Sequence, residues 1–249
     1  MLSLDGASGY VSFEQPIILS SEFSIEAWYL MAGEGGGSEQ QNFIFAQRDN
    51  QSGCDHSAIS LAARTLPALP SKSFALRSDA SCYDYAISPA EQFVEWHHIA
   101  AVKDQSTMKL YIDGQLVDNT EIQQTGSYTS NITTTELGRH RYNNENAGFY
   151  NGSIDNVGIW NRALTAAEVN SRMQSGLSGN ESGLVAFLNF DDSTSTDLTG
   201  NGNNGTMVGG ATTLQCDINL SENTVWGDLN QDGLLNISDV IVLIDMILF

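Results

Sequence analysis

The chain has 249 residues, with 30 acidic side chains against 10 lysines and arginines and a formal net charge of -20. A surface of that sign repels phosphate backbones and anionic headgroups, which argues against nucleic acid and lipid surfaces as partners. No apolar run is long enough to insert into a membrane. The length suits one all-β sandwich with something small attached, or two compact domains.

In chain order, residues 2–13 read as a strand interrupted at Asp5-Gly6 and Ser8-Gly9, and residues 23–31 as a second strand rich in β-branched and aromatic positions. A glycine-rich loop follows at 33–38. Strands recur near 42–48, 58–64 and 74–80, divided by polar or Pro-bearing segments that cannot continue a sheet. Trp96 opens a strand running to Lys103. Its neighbours His97 and His98 must point to opposite faces, so they cannot ligate one metal in regular geometry, and a structural role is expected. Lys109 to Val117 forms a hairpin about Asp113-Gly114, a pair that matches strand twist. Residues 134–140 supply a strand, and 139–149, RHRYNNENAGF, read as a polar loop.

The stretch from Tyr150 to Ser175 organises the rest. From Ile154 to Trp160 the alternation places Asp155, Val157 and Ile159 on one face, and Ile154, Asn156, Gly158 and Trp160 on the other. Thr165 and Glu168 form a capping box for a helix that begins at Ala166. Leu164 can staple onto Val169, and Ser175-Gly176 supplies the stop. Asp155, on a face that otherwise looks inward, needs a partner: a bound cation or backbone hydrogen bonds. Beyond the helix, 183–190 read as a strand, DLTGNGNNGTMVGG as a turn-dense segment and 216–226 as a linker.

The strongest local motif is GDLNQDGLLNISD. Counted from Asp228, oxygen-bearing side chains occupy loop positions one, three, five, nine and twelve: Asp228, Asn230, Asp232, Asn236 and Asp239. Gly233 sits where the loop must turn sharply, and Leu234 offers its carbonyl. A hard cation taking six or seven oxygens demands this pattern, so Ca²⁺ is the expected cofactor. The helix that follows, to Phe249, is apolar nearly all round and must dock, either on its own sandwich or on a second chain or missing repeat. Cys54 and Cys82 fall in one loop-rich region and either bridge it in an oxidising compartment or remain two buried thiols; Cys216 is left over. Met1 leads almost directly into a strand, and the expectation is a mature fragment of a longer protein.

Four stretches carry a resemblance: LSLDGASGYVSF, FSIEAWYL, WHHIAAVKDQSTMKLYIDGQLVD and FYNGSIDNVGIWNRALTAAEV. In this order they resemble the laminin-G-like, concanavalin-type domains of secreted proteins. The resemblance implies an all-β fold: a two-sheet antiparallel jelly-roll sandwich with one short helix over residues 1–215. The 227–249 segment resembles a single dockerin repeat, an EF-hand-like loop and helix. The family further implies a second cation between Asp155 and Asp5, or backbone oxygens around Gly9 and Tyr10. LTGNGNNGT also resembles a family motif, and the tail either closes the sandwich or begins a second domain.

No paired-carboxylate strand of the laminarinase kind, no G-x-S-x-G, no H-E-x-x-H and no phosphate loop occurs, so the chain reads as non-catalytic. Tyr83, Tyr85, Arg139, Arg141, Tyr142 and Tyr150 are the expected lining of a sugar site, where apolar sugar faces and hydroxyls need aromatics beside polar groups. The expected function is a secreted or cell-surface calcium-binding module that recognises carbohydrate or a matrix component. A structural subunit that self-associates through its terminal helix or a sheet edge is the alternative, and a polysaccharide-degrading enzyme a third.

Overall fold

The computed structural model describes residues 1–37, 41–49, 58–64, 72–77, 83–89, 95–123, 128–129, 131–142 and 145–214. The chain divides into two compact units, Met1–Gln215 and Cys216–Phe249. The expected calcium loop, the helix after it, and Cys54, Cys82 and Cys216 all lie outside the described residues.

Alternating apolar positions along short strands leave two sheets whose inner faces must meet. One sheet runs β10 (Gln115–Glu121), β9 (Thr107–Ile112), β8 (His97–Asp104), β3 (Phe23–Met31), β14 (Asn151–Trp160), β1 (Leu2–Asp5) and β17 (Thr212–Thr213), with β15 (Leu184–Leu188) also paired to β14. The other runs β16 (Gly205–Val208), β2 (Tyr10–Phe13), β11 (Thr134–Leu137), β4 (Gln41–Arg48), β5 (Ala58–Arg64), β6 (Lys72–Arg77) and β7 (Tyr83–Ile87). Every pairing among these strands is antiparallel. Leu2, Ile25, Tyr29, Ile99 and Ile154 from the first sheet share one buried core with Val11, Phe45, Leu61, Phe74 and Leu137 from the second. Each such side chain contributes roughly 1.5–3 kcal/mol of gross burial energy.

Three expectations are corrected at the level of elements. Residues 2–13 are two strands in different sheets: β1 pairs with β14, whereas β2 pairs with β11 and β16. The strand expected at 134–140 breaks at Gly138, whose φ is +80° and whose missing Cβ makes room for Leu4. The polar stretch after it is a hairpin of β12 (Arg139–Tyr142) and β13 (Glu145–Phe149) rather than a loop. The tail returns to the sandwich, β16 lying beside β2 and β17 beside β1.

The longest strand hides a further correction. Between Asp155 and Gly158 the register of β14 against β3 shifts, and Asn156 has φ +50°. A bulge adds one residue to one strand, so the alternation changes sides. Ile154 therefore joins Val157 and Ile159 in the main core, and Asp155 lies on the opposite side of the sheet. Helix α1 (Ala166–Ser175) follows on that side. Thr165 caps it with the reciprocal bonds to Glu168, and Leu164 and Val169 pack together in a second apolar cluster.

Candidate functional site

The two carboxylates expected to share a cation are not brought together. In the β1–β14 ladder Asp5 stands opposite Asn151, four residues along β14 from Asp155, a separation of roughly 13 Å along the strand. Asp5 caps its own turn. One oxygen accepts from the backbone N–H groups of Ala7, Ser8 and Gly9 at 2.8–3.0 Å, and the other accepts from the Ser8 hydroxyl at 2.8 Å. These donors, the Ser8 N–H foremost, hold its carboxyl well below the usual range. Asp155 is shifted the other way, to about 6, chiefly by burial, although the Met1 ammonium stands 3.8 Å away and the Asn156 N–H donates at 3.1 Å. Among the described residues no three His, Cys, Asp or Glu side chains are grouped so as to hold a metal ion.

The outward side of the first sheet is closed. Trp160, Leu164, Val169, Leu184 and Phe187 cluster there with Ala100, Val102 and Tyr111. Inside this layer Glu26 is 1% exposed; it accepts from the Trp160 indole at 3.0 Å and faces His98 at 3.3 Å. His97 takes the other face and meets Asp113 at 2.5 Å. The two histidines thus hold neighbouring strands together on opposite sides.

The outward side of the second sheet is polar at its β11 end and covered along β4, β5 and β6. Register sets one row across it: Thr206, Ser12, Glu136, Ala46, Ser60, Ala75 and Tyr85. Glu136 is buried at the centre of the strands, and the β12–β13 hairpin brings two arginines to it. Arg139 binds both carboxylate oxygens, through Nε at 3.0 Å and through Nη2, and Arg141 adds a bond at 2.8 Å. The Arg139 guanidinium lies 3.3 Å over the Tyr10 ring. Arg48, one residue row away, donates to the Arg141 carbonyl, and His140 stacks on Phe43 at 4.5 Å. A carboxylate buried on a strand could not stay ionised alone, and paired guanidinium groups stabilise it there.

Of the lining residues expected from the sequence, Tyr85 and Arg141 are accessible, with 36% of Tyr85 and 35% of the Arg141 side chain exposed. Arg139 is buried against Glu136. Tyr150 is corrected outright: it is fully buried in the main core, beyond reach of any ligand. It follows the hairpin directly, and its N–H donates to the Gly138 carbonyl at 2.8 Å, which pulls it inside. The side chains of Tyr83 and Tyr142 lie outside the described residues. Glu136, Arg48 and Tyr10 belong to the same cluster and were not among the expected lining residues. The available signal was a carboxylate in an alternating strand, three and five residues before two arginines.

These two antiparallel sheets, with a helix on one and a polar cluster at one end of the other, define a concanavalin-type sandwich. Residues 5–170 match the family model Laminin_G_3, described as the concanavalin A-like lectin/glucanases superfamily, and the chain belongs to that family. No curated protein matches the chain. Among solved structures it is similar to a candidate carbohydrate-binding protein from Bacteroides ovatus, with 18% identity and a TM-score of 0.59, covering 83% of this chain and 58% of that one. It is also similar to the CBM40 of Ruminococcus gnavus IT-sialidase bound to α2,3-sialyllactose, with 16% identity and a TM-score of 0.52 over 62% of this chain and 84% of that one. The heptameric SAP-like pentraxin of Limulus polyphemus aligns at 14% identity and a TM-score of 0.56, covering 86% and 94%. At such identities the likeness is one of fold.

Proposed function

We propose that the chain is a non-catalytic carbohydrate-recognition module of an extracellular protein, and that the outward face of the seven-stranded sheet is its binding surface. The observation that carries the reading is the Arg139–Glu136–Arg141 cluster, built on the polar side of a sandwich whose fold is shared with carbohydrate-binding modules. Hydrogen-bonding groups held rigid by ion pairs, with Tyr10 under Arg139 and Tyr85 four strands from Glu136 in the same row, suit a ligand that presents hydroxyls around apolar ring faces. The 228–239 segment is proposed to bind Ca²⁺ through Asp228, Asn230, Asp232, Asn236, Asp239 and the Leu234 carbonyl, in the manner of a dockerin repeat.

A glycan array probed with the full chain tests the first part; binding to a defined set of sugars is expected, and a blank array would remove the reading. For the second, Asp232→Ala should abolish the stabilisation of the C-terminal segment by millimolar calcium, followed by calorimetry. An unchanged calcium titration would count against the loop as a metal site.

A further inference from the structure

The chain is short of cations, and where it places them is informative. It holds seven arginines among its ten basic residues. Five of the seven, Arg48, Arg64, Arg77, Arg139 and Arg141, belong to the seven-stranded sheet or to the hairpin packed on it. Register aligns Thr134, Arg48, Ala58, Arg77 and Tyr83 in a row next to the one that holds Glu136. The seven strands carry two carboxylates. Asp84 stands opposite Leu76 on the row facing the core, where it accepts from the Tyr128 hydroxyl at 3.2 Å. Glu136 remains as the outward acid of the strands and is bound by Arg139 and Arg141; Asp49 beside Arg48 and Glu145 on the hairpin are the other acids of this region. At Glu136 itself two guanidinium groups meet one carboxylate, on a molecule of net charge -20.

The floor between Glu136 and Tyr85 is small and covered: Ala46, Ser60 and Ala75 are 4, 7 and 3% exposed. A ligand therefore meets the rim. Arg141 spends one described bond on Glu136 and keeps about a third of its side chain in solvent. A guanidinium has five N–H donors in a planar fork suited to a carboxylate or sulfate, and Glu136 and the Arg48 bond to its carbonyl pre-orient this one. Elsewhere the chain repels anions, but beyond about 8 Å that repulsion is screened at physiological ionic strength. At the rim the nearest charges decide.

We infer that this face selects glycans bearing an acidic group, a carboxylate or a sulfate, and that Arg141 is the residue that contacts it. The inference rests on the carbohydrate-binding reading and names the substrate class of the same site. It explains why an acidic protein concentrates arginines on one sheet, and why Glu136 is retained there: it spaces Arg139 and Arg141 and fixes both.

The test is calorimetric titration of the full chain, at about 0.15 M salt, with matched sets of one glycan in neutral, carboxylated and sulfated forms. At least one acidic form should bind about tenfold more tightly than its neutral parent. The carboxylate and sulfate arms show which group the site takes. Arg141→Gln should erase the preference while the protein still folds, because Arg139 still pairs both Glu136 oxygens; Arg141→Lys, which keeps the charge, should restore part of it. Equal binding of neutral and acidic forms would overturn the inference and leave the carbohydrate reading standing. A preference that survives Arg141→Gln in a folded protein would overturn the assignment to this face, and absence of binding to every glycan would sink both.

Discussion

The two sheets bury their inner faces alike and treat their outer faces differently. On the first sheet a second apolar cluster covers the outward side, with Leu164 and Val169 from the helix region packed on Trp160 and Phe187. On the second, a buried carboxylate takes the place of the apolar cluster, and a hairpin of arginines takes the place of the helix. One side is sealed by an apolar cluster; on the other Ala46, Ser60 and Ala75 are covered as well, and the β11 end is held by ion pairs with part of Arg141 left in water. The lesson is that strand alternation decides which residues face outward, but the element that returns over them decides whether that face is a core or a surface.

The contrast can be broken most forcefully at its polar end. Glu136→Gln leaves the buried Arg139 without a carboxylate and should cost about 3–5 kcal/mol in urea unfolding. A loss under 1 kcal/mol would mean the cluster is ornamental. On the sealed face Trp160→Phe keeps an aromatic ring but removes the donor to the buried Glu26 together with part of the buried indole, and should cost at least about 1–3 kcal/mol. If that variant melts like the parent, Glu26 is satisfied by other means.

Asp155 sharpens the comparison with opposite sign. Burial raises its carboxyl to about 6, above the unfolded value of about 3.9, so the folded state favours its neutral form. This contribution to stability is present at low pH and is lost as pH rises from about 4 through 6. Asp155→Asn should therefore stabilise the protein at pH 7 by about 1–2 kcal/mol, discounted for its partial exposure, and should change little at pH 4. Destabilisation at pH 7 would instead point to a cation held by that carboxylate. The smallest effect is expected at the helix cap: Thr165→Ala should cost about 1 kcal/mol and loosen the cover over Trp160, seen as faster amide exchange along α1.

Local chemistry was legible wherever a few neighbouring residues settle it. The Thr165–Glu168 box starts the helix where expected, and Asp113 and Gly114 both take the positive φ of a tight hairpin turn. The sheet assignment of neighbouring strands was less so. Asp5 to Gly9 looks like an interruption in one strand, and nothing in those five residues says that the chain crosses between sheets there. The bulge at Asn156 is one residue wide, and missing it reverses the side on which Asp155 sits. The β12–β13 hairpin resembles a loop because its residues are chosen for a polar face, with Arg139 and Arg141 answering a glutamate on another strand. Such a match between distant segments has no period to detect.

The tail strand has a mechanical consequence. Leu214 donates to the Met1 carbonyl at 2.9 Å and accepts from the Met1 ammonium at 3.2 Å, and β17 runs antiparallel beside β1. Both ends of the sandwich thus emerge at one corner. Tension between them would load these bonds one after another, as in a zipper, instead of shearing them together. The sandwich should therefore yield at modest force from that corner, with β16 and β2, the strands that lead to β11, next in line.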